Sequence, residues 1–430
     1  MFREKNNNKT LIKKIRSFFN LNNNTMNFKI IAAALLIGGT VFSSSAEAKK
    51  DKKKDKQEGY VFTDVKRMPA TSVKDQHRSG TCWAFSGLSF MESEMLRMGK
   101  PEVDLSEMFV VYNCYSDKAI KDVRLSGKFN FGGGGAFHDV TYVMKNYGIV
   151  PESVYAGLNY GETGHTHGEM DIILSNYVDA VIQNKNKKLT PVWHKGFDGV
   201  LDAYLGKLPK TFEYKGKEYT PRSFADDYTG LNADDYIEIS SYTHHPFYEK
   251  FIIEVGDNWL WDEVYNLPID EMMDVMESAI MDGYTIGWAA DVSEKGFAYR
   301  KGVAIVPEAD TKNMSDSEIS KWQDMSDKNK NAKLFSFKGP GAEKVITQEM
   351  RQEAFNNYTT TDDHGMHIVG ISKDQNGNKY FIVKNSWGTD NNPYDGYFYA
   401  SFPFVAYKTM SFMINKNAVP AKLRKKLDIK

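Results

Sequence analysis

Cysteine is the scarcest chemistry-bearing side chain in this sequence: Cys82 and Cys114 are the only two among 430 residues. Two thiols exclude a disulfide framework and a cysteine-only zinc site, so stability has to come from a packed core or from assembly. An excess of one charge is missing as well, with 55 Lys and Arg against 56 Asp and Glu. Without residues 1–48 the balance becomes 48 against 54. Such a mildly acidic chain lacks the broad positive field that non-specific nucleic-acid binding requires. No apolar run is long enough to serve as a stable membrane anchor. The one candidate, Ile30 to Phe42, follows Met26-Asn27-Phe28-Lys29 and precedes Ala46-Glu47-Ala48, an A-x-A cleavage pattern. Residues 1–48 therefore read as a secretory signal peptide, with Met26 a possible true start, and the mature protein is expected to be periplasmic or secreted.

What is present suffices for a large core: 41% of residues are hydrophobic and 13% aromatic, enough for one large domain or two modest ones. The Lys-rich stretch after residue 48 reads as a solvated polar linker to about Gly59. Cys82 stands in Gln76-His77-Arg78-Ser79-Gly80-Thr81-Cys82-Trp83-Ala84-Phe85-Ser86, a loop running into a helical pattern that continues to about Met98. A thiol there meets the unpaired amides and positive end of the helix, which favour thiolate and make a nucleophile. Gln76 can present a side-chain N–H beside the Cys82 backbone N–H, a plausible oxyanion hole.

Far downstream, Thr361-Asp362-Asp363-His364-Gly365-Met366-His367 opens one predicted strand, and Phe381-Ile382-Val383-Lys384-Asn385-Ser386-Trp387 closes another. The Asn376-Gly377 pair between them predicts a type I′ hairpin. Such a hairpin sets the His364 imidazole beside the Asn385 amide. His367 lies three residues further on, hence on the opposite face of the strand, so His364 is the candidate base. Cys114 has apolar neighbours at helical spacing and reads as a buried, inert thiol. His165-Thr166-His167 and His244-His245 lack a third ligand at useful spacing; they are expected to be surface histidines, and neither a metal nor an organic cofactor is called for.

These motifs make the chain resemble the papain-like cysteine peptidases, and within them the bleomycin hydrolase or aminopeptidase C branch. The papain signature is Cys-Gly-Ser/Ala-Cys-Trp/Tyr, with His and Asn roughly 130–150 residues downstream. Here it reads Ser79-Gly80-Thr81-Cys82-Trp83, and His364 lies 282 residues beyond Cys82. The missing first cysteine and the long spacing both fit that branch. Further matching segments are Leu105-Ser106-Glu107, Gly132 to Gly135, Tyr147 to Glu152, Ala203 to Gly206 and Asp282-Gly283.

The resemblance implies an α+β papain-like fold over about residues 60–420, its helical half carrying Cys82 and its β-rich half His364 and Asn385. A large, mainly helical insertion is expected at about 161–340 and a basic tail at 421–430. It implies catalysis by Cys82, His364, Asn385 and Gln76 through a thioester, with Trp387 shielding the His–Asn hydrogen bond and Gly134 and Gly135 lining the substrate cleft. The implied substrates are short peptides, and the implied assembly is a hexameric ring with inward-facing sites. In that branch a C-terminal arm enters the cleft and its carboxylate holds the substrate amine. Here the tail after Asn415 is fifteen residues and includes Lys422, Arg424, Lys425 and Lys426. Release of one or two residues from a free N-terminus is the expected activity. Endopeptidase action, a non-peptide amidase or acyltransferase, and a non-catalytic peptide-binding role stay open on sequence alone.

Overall fold

The computed structural model describes residues 59–128, 130–186 and 188–430. The predicted leader, its Met26 start and the Lys-rich segment of the linker lie outside the described residues. After β1 (Phe62–Arg67) come five helices: α1 (Cys82–Arg97), α2 (Glu107–Arg124), α3 (Phe137–Asn146), α4 (Gly168–Ile182) and α5 (Val192–Leu205). α1 begins at Cys82 itself and is buried from Trp83 to Met95, because its apolar residues run around the helix rather than along one stripe. Its two buried acids are satisfied: Glu92 accepts the Leu105 N–H at 2.9 Å, and Glu94 pairs with Arg97 and takes the Asn415 amide at 2.9 Å. α2 starts on Ser106, whose Oγ accepts the Phe109 N–H at 3.1 Å, the expected N-cap. Phe85, Leu88 and Met91 of α1, with Phe109 and Val140, sit in one continuous core of this helical half.

The small hairpin of β2 (Phe212–Tyr214) and β3 (Lys217–Tyr219) leads into the strand half. There follow β4 (Tyr236–Ser240), β5 (Lys250–Ile252), β6 (Glu263–Asn266), β7 (Ile286–Ala290), β8 (Phe297–Ala298) and β9 (Val303–Ala304). The last four strands are β10 (His364–Asp374), β11 (Lys379–Lys384), β12 (Tyr397–Ser401) and β13 (Thr409–Asn415). One sheet runs in the order β5-β6-β4-β13-β7-β10-β11-β12-β9-β8, with β1 added on β10. The first half of β10 pairs with β7 and the second half with β1, so this strand is flanked throughout. Its near-continuous apolar run, Met366 to Ile371 broken only by His367 and Gly370, is what a strand covered on both faces needs.

Two details differ from the sequence reading. The β10–β11 turn is not type I′, since Gly377 has φ of +89° while Asn376 is not at positive φ. The Asp374 carboxylate organises it instead, accepting the N–H groups of Asn376 and Asn378 at 2.8 and 2.9 Å. The register is unaffected: His364 still opens β10 and Asn385 directly follows β11. Residues 161–340 hold more helix than strand, yet they also supply β4 through β9 to the sheet. Hydrophobic strands such as β7 find partners on β10 and β13 already in place, which draws this stretch into the main layer.

Trp288 of β7 is wholly buried, and its indole N–H donates to Thr409 Oγ1 at 2.7 Å. Trp288→Ala should cost about 3–5 kcal/mol through the cavity it leaves. Chemical denaturation of the two proteins checks this, and an unchanged midpoint would show that the sheet does not depend on that side chain.

Candidate active site

The two halves touch where β10 crosses the N-terminus of α1. A Cβ on Gly365 would lie 2.7 Å from Ser86 Oγ, 3.1 Å from Trp83 Cα and 3.3 Å from Trp83 N. Only glycine lets the strand come this close. The Gly365 N–H then donates to Cys82 Sγ at 3.4 Å. His364 precedes it, and its Nε2 meets Asn385 Oδ1 at 2.7 Å, leaving Nδ1 as the ring's other titratable nitrogen. Asn385 Oδ1 also accepts the Ser386 N–H at 2.8 Å. The Trp387 ring stacks on the imidazole with centroids 4.7 Å apart, and is itself braced by the edges of Phe297 and Tyr299. With His364 only 6% and Asn385 3% exposed, the hydrogen bond between them is buried, and the Trp387 ring lies over the imidazole.

Cys82, His364, Gln76, Gly134, Gly135 and Trp387 all border one cavity of about 370 Å³. Asn385 stands behind His364 rather than in the cavity wall. Gln76 is fixed at both ends of its amide: Oε1 accepts the Ser386 hydroxyl at 2.7 Å and Nε2 donates to Ser79 O at 2.9 Å. One amide hydrogen is left over. The Cys82 N–H, in the first turn of α1, has no partner within the helix.

The charge state of the pair departs from the simple helix-dipole expectation. Burial pushes the Cys82 thiol up to about 11, outweighing the Gly365 and Trp83 amides that favour thiolate. Burial likewise pulls the His364 imidazole down to about 4, against the help of Asn385. Neither charge is stable alone in so dry a place. Moving the proton from sulfur to imidazole creates both charges together, and their attraction then offsets the two desolvation costs.

The glycine loop is held by groups that carry no obvious sequence signal. Buried Lys118 donates to the carbonyl oxygens of Gly132 and Gly134, and the Trp83 indole donates to Gly133 O at 2.9 Å. A side chain on Gly134 would overlap the Asp257 carboxylate, and one on Gly135 would overlap Asp139 and Trp83. The cavity wall is acidic, with Glu238, Asp257, Asp362 and Asp363 but no Lys or Arg. Two of these acids are occupied. Glu238 binds the His138 ring at 2.9 Å and the Ser411 hydroxyl at 2.8 Å, and Asp363 accepts the Val292 and Ser293 N–H groups and the Thr361 hydroxyl. Asp257 has one contact, from Asn130 at 3.2 Å, and Asp362 has no hydrogen-bond partner among the described residues. Burial, then repulsion from Asp257, pushes Asp362 up to about 7. Asp362 was within reach of the sequence reading, beside the His364 motif; Asp257 arrives from the 161–340 stretch without a local signal.

The Peptidase C1-like family model matches residues 10–326, and the Papain family cysteine protease model matches residues 342–403. The chain belongs to the peptidase C1-like family. This cysteine peptidase is 22% identical to Aminopeptidase G of Lactobacillus delbrueckii subsp. lactis over 390 residues, 81% of this chain and 82% of that protein. It is also 22% identical to Bleomycin hydrolase of Mus musculus over 409 residues, 84% of each chain. The crystal structure of PepW from Lactobacillus rhamnosis HN001 superposes with a TM-score of 0.62 at 19% identity, covering 85% of this chain and 84% of that one. The peptidase therefore has the α+β, papain-like architecture that its motifs implied.

Other expected residues fall as follows. His367 faces away from the cavity, its Nδ1 2.9 Å from Ser89 Oγ beneath α1, consistent with the choice of His364. Cys114 is buried in α2 and burial raises its thiol pKa. His165 and His167 are not surface residues: they are 7% and 1% exposed, because the segment packs on Phe85 and on the Arg78 backbone. His244 and His245 do have a third neighbour, since Glu254 folds back to meet both rings. The C-terminal tail forms a helix over Ala421–Lys426 anchored by buried Leu423 and Leu427, and Ile429 and Lys430 border a different cavity beyond Glu238.

Gly365→Ala should lower turnover by about tenfold to a hundredfold by displacing the strand from α1, a misplacement of well under 1 Å to about 1 Å being enough. Steady-state kinetics alongside thermal unfolding check this; full activity in the variant would show that the close approach is not required.

Proposed function

We propose that this peptidase is an exported aminopeptidase, releasing one or two residues from the free N-terminus of short peptides through a Cys82 thioester. The observation that carries the aminopeptidase reading is the pair of carboxylates, Asp257 and Asp362, in a cavity wall that holds Cys82 and His364 but no Lys or Arg. Asp257 lies against Gly134, on the glycine side of the cavity. An underpaired carboxylate in such a place favours a cation, and the cation that every peptide with a free N-terminus offers is its ammonium. The same field disfavours a substrate's C-terminal carboxylate. The names of the relatives, aminopeptidases among them, agree with this reading. Export rests on the leader pattern of residues 1–48.

In the proposed mechanism Cys82 Sγ attacks the scissile carbonyl as its proton passes to His364, and the carbonyl oxygen gains charge against the Cys82 N–H and the free Gln76 amide hydrogen. His364 then protonates the leaving amine, which departs and leaves the acyl group on sulfur. Water, deprotonated by His364, breaks the thioester and restores the thiol. Asn385 keeps the ring oriented throughout.

Fluorogenic aminoacyl and dipeptidyl amides with free or blocked N-termini test the reading directly. Free-amine substrates should turn over and their blocked counterparts should not, with Cys82→Ala inactive on both; equal cleavage of blocked substrates would sink the aminopeptidase assignment. kcat/KM for free-amine substrates should rise with pH through about 7, as Asp362 ionises, and fall above about 8 as the substrate amine loses its proton. Asp362→Asn should remove the rise and raise KM about tenfold or more. Gln76→Ala should reduce kcat by about 10²–10³ with little change in KM, the signature of an interaction made in the transition state.

A further inference from the structure

We propose that His244, His245 and Glu254 form a transition-metal site, suited to Zn²⁺, on the outer side of the wall that carries Asp257. The two histidines are consecutive in the chain, yet both turn their Nε2 atoms onto one carboxylate. His244 Nε2 lies 3.0 Å from Glu254 Oε2, and His245 Nε2 lies 2.7 Å from Oε1. All the ligand atoms fall within 4.8 Å of one another. Around a tetrahedral zinc with bonds of about 2.0–2.2 Å, neighbouring ligand atoms stand about 3.3 Å apart, so these three groups need only small shifts to hold the ion. Two imidazoles and a carboxylate favour zinc, cobalt or nickel over calcium or magnesium. A water completes the fourth position, on the solvent side where Glu254 is 54% exposed.

The rings are set by neighbours outside the ligand group. His245 stacks on Phe251 at 4.6 Å between centroids and His244 on Phe355 at 5.6 Å. Gln352, on the helix Gln348–Asn356, offers His244 Nδ1 both a donor at 3.1 Å and an acceptor at 3.4 Å. It therefore serves either tautomer. Without metal, Nε2–H points at Glu254 and Nδ1 accepts from the amide; with metal on Nε2, the proton sits on Nδ1 and the amide oxygen accepts it. A charge pair between histidine and glutamate alone would not require this second arrangement.

The site bears on the cavity because Glu254 is followed by Val255 and, after Gly256, Asp257, both in the cavity wall. An ion on Glu254 would tether that segment, and with it the carboxylate assigned above to the substrate amine; this consequence, unlike the site itself, rests on the aminopeptidase reading. Binding is tested on the whole chain carrying Cys82→Ala, which removes the catalytic thiol as a competing ligand. Co²⁺ followed by visible absorption, and Zn²⁺ by calorimetry, should show one ion per chain, with Glu254→Gln and His245→Ala each weakening it about tenfold or more. Glu254 is exposed, so its variant keeps the test valid should His245→Ala fail to fold. No binding below about millimolar Zn²⁺, or binding that neither substitution changes, would overturn the site. Hydrogen exchange gives a readout independent of activity. Amides of residues 254–258 should exchange more slowly with Zn²⁺ present, and only when Glu254 is intact. Binding without that protection would overturn the tether. None of these outcomes depends on whether blocked substrates are cleaved, so the two readings fail separately.

Discussion

The site depends on one contact: the passage of β10 over the first turn of α1 at Gly365. Helix and strand belong to separate hydrophobic cores, and each could pack internally without meeting the other at this distance. The absence of a side chain at Gly365 lets the strand backbone reach the sulfur of Cys82 and sets the His364 ring on the same cavity. Everything else braces that contact. Asn385 and Trp387 hold the ring from behind and above, Ser386 ties Gln76 to the end of β11, and buried Lys118 with the Trp83 indole holds the glycine loop in place. Consecutive residues 385, 386 and 387 thus support two parts of the site, Asn385 and Trp387 the His364 ring and Ser386 the Gln76 amide, because side chains leave an extended chain in alternating directions.

Burial governs the chemistry of the pair as much as proximity does. A dry cavity destabilises thiolate and imidazolium separately, so the helix amides alone do not set the state of Cys82. The same dryness strengthens their attraction once both are formed and sharpens the effect of every other fixed charge nearby. The acids of the wall belong to this account. Glu238 is neutralised by His138, whose pKa is lifted to about 9 mainly by that carboxylate working against burial. Asp257 and Asp362 are paired less closely: the buried Lys118 ammonium lowers the pKa of Asp257 and His138 that of Asp362, but burial outweighs both and repulsion from Asp257 raises Asp362 further.

The tail and the 161–340 stretch both reach the neighbourhood of the site. Buried Leu423 and Leu427 draw the C-terminus onto the body of the protein, so its last residues border a neighbouring cavity. The long stretch adds strands to the sheet as well as helices, and through Asp257 it reaches the rim of the catalytic cavity.

Local pattern was enough to read the family, the start of α1 at Cys82, the Ser106 cap, the pairing of β10 with β11 and the residues that meet around one cavity, since each depends on side chains close in sequence or on a period of two or 3.6. The choice of His364 over His367 followed from that period together with the match of Asp363-His364-Gly365 to the family pattern. What tertiary structure decided were the matters of burial and of distant partners: the raised thiol and lowered imidazole pKa values, the burial of His165 and His167, the Asp374 turn, Glu254 closing on His244 and His245, and Asp257 meeting Gly134 across 123 residues of chain. Desolvation and long-range approach are properties of the packed whole, and no window of sequence carries them.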